Sequence, residues 1–208
     1  MNLFPASANS VYWVAIAALS CSFAGAPAAA IVWARTPYAT GAGEPATQPV
    51  KFDHRHHVRD AAIDCVYCHD GALRAPVAGV PATSLCMGCH AQIWTDSPEL
   101  ASVRASALTD TPLRWQRTNA LPDFVFFDHA AHTTQGVGCV TCHGRVDRMG
   151  QVFAARALTM DFCLDCHRDP KPELRPLDRI TDMDWERDET SEPAAPVRSL
   201  VHCSTCHR

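Results

Sequence analysis

Ten of the chain's 11 cysteines fall in pairs separated by two residues, and each pair is followed at once by a histidine. The five motifs are Cys65-Val66-Tyr67-Cys68-His69, Cys86-Met87-Gly88-Cys89-His90, Cys139-Val140-Thr141-Cys142-His143, Cys163-Leu164-Asp165-Cys166-His167 and Cys203-Ser204-Thr205-Cys206-His207. Two thiols at this spacing form thioethers to the vinyl groups of one haem while the adjacent imidazole reaches its iron, the c-type attachment. A zinc ribbon uses Cys-x-x-Cys pairs two at a time, and five is odd. A disulfide scaffold or a thioredoxin-like site has no need of a histidine after every pair. The expectation is five covalent haem c groups, with His69, His90, His143, His167 and His207 as proximal iron ligands.

The chain has 11 histidines, and four of the remaining six sit in a repeat. Phe52-Asp53-His54-Arg55-His56-His57 precedes Cys65, and Phe127-Asp128-His129-Ala130-Ala131-His132 precedes Cys139, offset by 75 residues. A second attachment motif comes later in each half, at Cys86 and at Cys163. Histidines at i and i+3 share one face of a helical turn, yet diverge enough to approach two irons lying side by side. Supply matches demand, so His54, His57, His129 and His132 are read as distal ligands of four irons. His56 has no counterpart, Ala131 standing in its place, and is read as a spectator.

One iron is left. The candidates are His202, Met149 and Met160, with Met183 and Met87 less well placed. His202 directly precedes Cys203 and is badly positioned to reach the far side of its own haem, and Met87 lies inside an attachment motif. Methionine most often fills gaps in a core, but Met149 and Met160 flank the second unit. A His/Met iron through one of the two is therefore expected, with a higher potential than a bis-His iron.

These groups have to be positioned by very little protein. Beyond residue 35 there are only about 34 residues per haem, too few for five separate cores. The fold class expected is mostly irregular with small α elements: a haem-packed core, short helices at the motifs, long loops, little sheet and one N-terminal transmembrane helix. The division expected is an anchor over 1–35, a Pro/Gly-rich linker over 36–49, a first dihaem unit over 50–122 and a second over 123–168. The proline-rich, acidic C-terminal stretch reads as an extended arm over 169–208 carrying the fifth haem. Residues 91–122, with Trp94 and Trp115, read as a packing segment.

The anchor is an uncharged run from Val11 to Ala34, with Trp13 and Trp33 near its ends and Arg35 directly after it. A cleaved signal with a site near Ala28 or Ala30 is the alternative. The run is longer than a usual signal core, and no Lys or Arg precedes it, so a retained single-pass anchor is expected. Arg35 alone would place the C-terminal side of the anchor in the cytoplasm. Covalent haem attachment in bacteria takes place outside the inner membrane, and five haems outweigh one arginine, so the haem-bearing part is expected in the periplasm. Ala18-Leu19-Ser20-Cys21 is a poor lipobox, which leaves Cys21 as a cysteine within the anchor. A net charge of −4 with no basic patch points away from nucleic acid.

The Phe-x-His-x-x-His sequence ahead of Cys-x-x-Cys-His resembles class III multihaem cytochromes. The residues 52–58, 86–98, 121–125, 142–149 and 158–168 resemble the pentahaem cytochrome subunits of alternative complex III, a bacterial quinol oxidoreductase. That resemblance implies a subunit that takes electrons from an iron–sulfur, molybdopterin-like subunit and passes them to a monohaem cytochrome c or an oxidase. Quinol chemistry would lie with polytopic membrane partners, and this chain would be a wire rather than the catalyst. The rivals are a tetrahaem-type membrane-anchored quinol dehydrogenase, which lacks the duplicated Phe-Asp-His-x-x-His, and a multihaem oxyanion reductase, which needs an iron with an open position.

Overall fold

The computed structural model of the chain describes residue 5, residues 7–188 and residues 200–207. The chain divides into two units, Met1–Gly41 and Ala42–Arg208.

The first unit is built on helix α1, Ser7–Ala34, whose 28 residues carry no charge. At 1.5 Å per residue it rises roughly 42 Å, more than the hydrocarbon core of a bilayer. Its most apolar window has a mean hydropathy of 1.8, and none of that window is covered by protein. Apolar side chains surround it on every side, as in a helix with no aqueous face. It is long and apolar enough to cross a membrane. A short helix α2, Pro37–Thr40, ends at Gly41, whose φ of 69° supplies a left-handed cap.

In the second unit the described residues form no strand, only the isolated bridges Pro45↔Phe153 and Val137↔Leu174. Every attachment motif lies on a short helix: α3 Cys65–Cys68, α4 Thr83–His90, α7 Cys139–His143, α8 Met160–Arg168 and α9 Cys203–Cys206. A single helical turn is what brings thiols at i and i+3 to one side, and local capping starts it. Asp64 Oδ1 accepts the amide of Val66 at 2.9 Å ahead of α3, and the His69 amide closes the turn on the Cys65 carbonyl at 2.9 Å. Helix α5, Ala101–Thr109, packs on α4, joined by a 2.7 Å hydrogen bond between the Thr83 and Ser106 hydroxyls.

The two repeats differ in winding. His129–Thr133 is an α-helical turn, α6, capped by Asp128 Oδ1 on the Ala131 amide. Its counterpart is a π-helical turn over Arg55–Asp60. The wider turn carries the Arg55–Asp53 and His56–Asp60 pairs on its outer side, which its counterpart, with alanine at 130 and 131, lacks.

Protein alone makes a small core. The buried apolar side chains among the described residues are Val50, Ala72, Val103, Met149, Leu174 and Ile180, and no large side chain is fully enclosed. Three polar ties do much of the remaining joining. Asp147 is 3% exposed and accepts from both Arg59 at 2.9 Å and Arg145 at 2.7 Å, pinning the π turn to the 3-10 turn Val146–Arg148. Thr133 Oγ1 donates to the Ala72 carbonyl at 2.8 Å. The third tie is the segment after α8, which is packed rather than extended over residues 170–182. Leu174, Arg175 and Ile180 are buried there, the Cys139 amide donates to the Ile180 carbonyl, and the Arg175 amide donates to the Gly136 carbonyl. Gly136, at φ 92°, and Gly138 permit this approach, since a Cβ on either would collide with Arg175. Of the arm, residues 189–199 and 208 lie outside the described residues.

Candidate haem-binding sites

The ring contacts of the two repeats are near copies. Phe52 lies edge-on to His54 at 4.7 Å and stacks on His57 at 4.3 Å and 25°. Phe127 lies edge-on to His129 at 4.7 Å and stacks on His132 at 4.5 Å and 28°. In both, the second histidine turns its Nδ1 back to the carbonyl four residues earlier: His57 to Asp53 at 2.9 Å, His132 to Asp128 at 2.7 Å. The phenylalanine and the carbonyl together fix the ring plane and leave Nε2 pointing outward.

The same device recurs at the motif histidines. His69 Nδ1 bonds the Gly79 carbonyl at 2.8 Å, His90 the Ile93 carbonyl at 3.1 Å, His167 the Leu200 carbonyl at 3.1 Å and His207 the Phe124 carbonyl at 3.2 Å. His129 Nδ1 bonds the Pro76 carbonyl at 2.9 Å. A carbonyl can only accept, so each Nδ1 carries the proton and each Nε2 presents a lone pair, the tautomer a metal requires. His143 Nδ1 lies 3.2 Å from the Asn119 side-chain amide, whose Oδ1 is otherwise buried without a partner. Turning that amide end for end lets Oδ1 accept from His143 Nδ1. His54 is the exception, its Nδ1 buried without a partner.

Imidazoles then meet in pairs. His57 and His90 have ring centres 6.1 Å apart, His129 and His143 6.3 Å, and His132 and His167 6.0 Å. A metal lies about 2 Å from each imidazole nitrogen it binds, so two trans imidazoles on one iron put their ring centres roughly 6 Å apart. Among the described residues no three His, Cys, Asp or Glu converge as a site for a free metal ion. Donors arranged in facing pairs fit an iron whose in-plane ligands come from a macrocycle. Burial, then the charges of His69 and His57, push His54 down to about 4, and burial also lowers His132 and His143. All three stand neutral at neutral pH, the form that ligates.

The remaining predicted residues separate. His56 is exposed and bonds Asp60 at 2.8 Å on the outer side of the turn. The ring against His207 is Phe124, at 5.9 Å and 25°, rather than a second imidazole. Met149 is 8% exposed, its methyl group close to Gly144, while Met160, first residue of α8, is 64% exposed. His202 is exposed as the residue before α9. Asn119 and the orienting carbonyls of Gly79, Ile93, Leu200 and Phe124 were not among the residues the sequence pointed to. Carbonyls carry no sequence signal, and a single asparagine in a loop carries almost none.

Comparison with known proteins finds two resemblances. Residues 131–208 match the cytochrome c3 family. That stretch includes α6 from Ala131 onward and the third, fourth and fifth attachment motifs. Over 123 residues, 59% of this chain, the sequence is 33% identical to the multiheme cytochrome c subunit of a menaquinone reductase from Nitratidesulfovibrio vulgaris. The chain matches 52% of that curated relative, about half its length. The family match is a resemblance over 78 of the 208 residues.

Proposed function

We propose that the chain is an electron-transfer subunit holding five covalent haem c groups and working within a quinol-oxidising membrane complex. Electrons enter from an iron–sulfur, molybdopterin-like subunit and leave to a monohaem cytochrome c or a terminal oxidase. Quinol chemistry belongs to polytopic membrane partners. Helix α1 is a single-pass anchor in the bacterial inner membrane, with the haem-bearing part in the periplasm. The residues resembling alternative complex III subunits support the partners, and the hydropathy of α1 supports the anchor.

The residues divide the work simply. Cys65 and Cys68, Cys86 and Cys89, Cys139 and Cys142, Cys163 and Cys166, and Cys203 and Cys206 hold the groups by thioethers. His69, His90, His143, His167 and His207 bind on one side of each iron. His54 faces His69, His57 faces His90, His129 faces His143 and His132 faces His167, with a methionine opposite His207. When bound, haem supplies a one-electron Fe(III)/Fe(II) couple. The chain's part would be to hold the group between orientation-fixed histidines, so that the protein rearranges little on electron transfer. Histidines facing each other in this way would leave no place for an oxyanion on the iron they held, which favours a relay over a reductase.

The observation that carries this reading is the set of three imidazole pairs at 6.0–6.3 Å. Electron paramagnetic resonance of the oxidised protein tests it: low-spin signals are expected throughout, and a stoichiometric high-spin iron would overturn it. The named relative favours a second direction of flow, toward menaquinone rather than from quinol. Adding a menaquinol analogue to the oxidised complex distinguishes them, since reduction of the haems marks quinol as donor. Quinol oxidation by the isolated chain would instead support the tetrahaem-type dehydrogenase.

A further inference from the structure

The order of the five sites in space differs from their order in the sequence. Numbered by motif, the geometry points to the arrangement second–first–third–fourth–fifth, an unbranched line with the second and fifth sites at its ends. The order rests on reading the five motifs as haem sites.

Two junctions come from the shared turns. The π turn places His57 opposite His90 at 6.1 Å, while His54, directly ahead of that turn, lies within the electrostatic reach of His69. One short element therefore serves the first and second sites, and the Cys68 and Cys86 thiols are near enough to influence each other. Helix α6 does the same for the third and fourth sites, with His129 opposite His143 and His132 opposite His167.

The junction between the halves decides the order. The helix that carries the second motif, α4, is bonded through Thr83 to α5, which in turn donates to the Pro49 carbonyl. The first motif faces the second half. His129 donates both its amide and its Nδ1 to the Pro76 carbonyl, in the loop that leaves the first motif. Thr133 Oγ1 reaches the Ala72 carbonyl in the same loop. Asp64, the cap of α3, accepts from Thr181 at 2.8 Å, and the adjacent Ile180 carbonyl accepts the amide of Cys139 at 2.9 Å. Every one of these contacts joins the first site to the third or to the helix that serves it.

The fifth site closes the line at the other end. The Leu200 amide donates to the His167 carbonyl at 3.2 Å and His167 Nδ1 returns a bond to the Leu200 carbonyl, so the lead-in to α9 is tied to the fourth motif. The Phe126 amide donates to the Cys206 carbonyl at 2.8 Å, and His207 bonds Phe124, both just ahead of the repeat that carries His132. In a line of this order each reduced haem would pass one electron to the next oxidised one. The partner redox centres then meet the second and fifth sites rather than the first and fifth.

A cryo-electron microscopy structure of the haem-loaded chain in its native complex tests the order. The iron bound by His69 should lie between those bound by His90 and His143, with the His90–His143 irons farther apart than the His69–His143 irons. An iron at His90 lying between those at His69 and His143 overturns the order, as does an iron at His207 neighbouring the one at His69. A map with fewer than five haems would instead remove the underlying reading of the motifs.

Discussion

At the residue scale, the recurrent device is an imidazole with Nδ1 tied to a carbonyl and Nε2 left for iron. Hydrogen bonds from Nδ1–H raise the basicity of the ligating nitrogen and so favour the ferric state. His143 alone among the motif histidines is tied to a side chain, Asn119, which can be varied without moving backbone. Asn119→Leu should raise one of the five midpoint potentials on the order of tens of millivolts, and Asn119→Asp should lower it. Redox titration followed optically reads both, and equal shifts in the same direction would argue against an Nδ1 donor at His143. The two methionine candidates are equivalent in the sequence but not in the structure. Met149 is already enclosed by protein, whereas Met160 is open and lies three residues before Cys163, in the helix whose His167 is tied to Leu200 at the lead-in to the fifth site. Met160→Leu should abolish the methionine–iron charge-transfer band and the highest-potential component. Met149→Leu should keep both and cost less than about 1.5 kcal/mol as a volume-conserving change. If neither change affects the band, His202 becomes the candidate.

At the scale of elements, the legible part was whatever a motif dictates locally. Each Cys-x-x-Cys-His forms a helical turn because i, i+3 thiols need one, and each Phe-Asp-His-x-x-His forms a turn with matching ring contacts. The π winding of the first was not legible, since the two repeats share the same Phe-Asp-His-x-x-His pattern and yet wind differently. Nor was the packing of 170–182. Prolines and acids dominate its composition, and its buried residues, Leu174, Arg175 and Ile180, obey no period of 2 or 3.6. Asp147 was likewise invisible as an isolated aspartate, yet it holds the π turn against the second half. Removing one partner of a buried pair costs about 3–5 kcal/mol. Arg59 and Arg145 are 44% and 30% exposed and can recover water, so Asp147→Ala should destabilise the loaded protein by about 2 kcal/mol. Denaturant unfolding measures this, and a change under about 0.5 kcal/mol would make the tie incidental.

At the scale of the molecule, the small protein core and the five motifs point the same way. Six buried apolar side chains among the described residues of a unit this long leave most of the apolar interior to be provided by the groups it carries. The sequence implied this through residue count per motif, while the spatial order of the sites emerged only from the hydrogen bonds between the halves. Retention of α1 belongs to this scale too. Protein purified from membranes should keep its N-terminal segment, and Edman sequencing that begins near Ala30 or Ile31 would show a cleaved signal. The central claim is that all five Cys-x-x-Cys-His motifs carry covalent haem. A pyridine haemochrome assay on denatured, extracted protein, normalised to polypeptide, tests it most directly. Five haems per chain is the predicted result, and four or fewer in mature protein would contradict it.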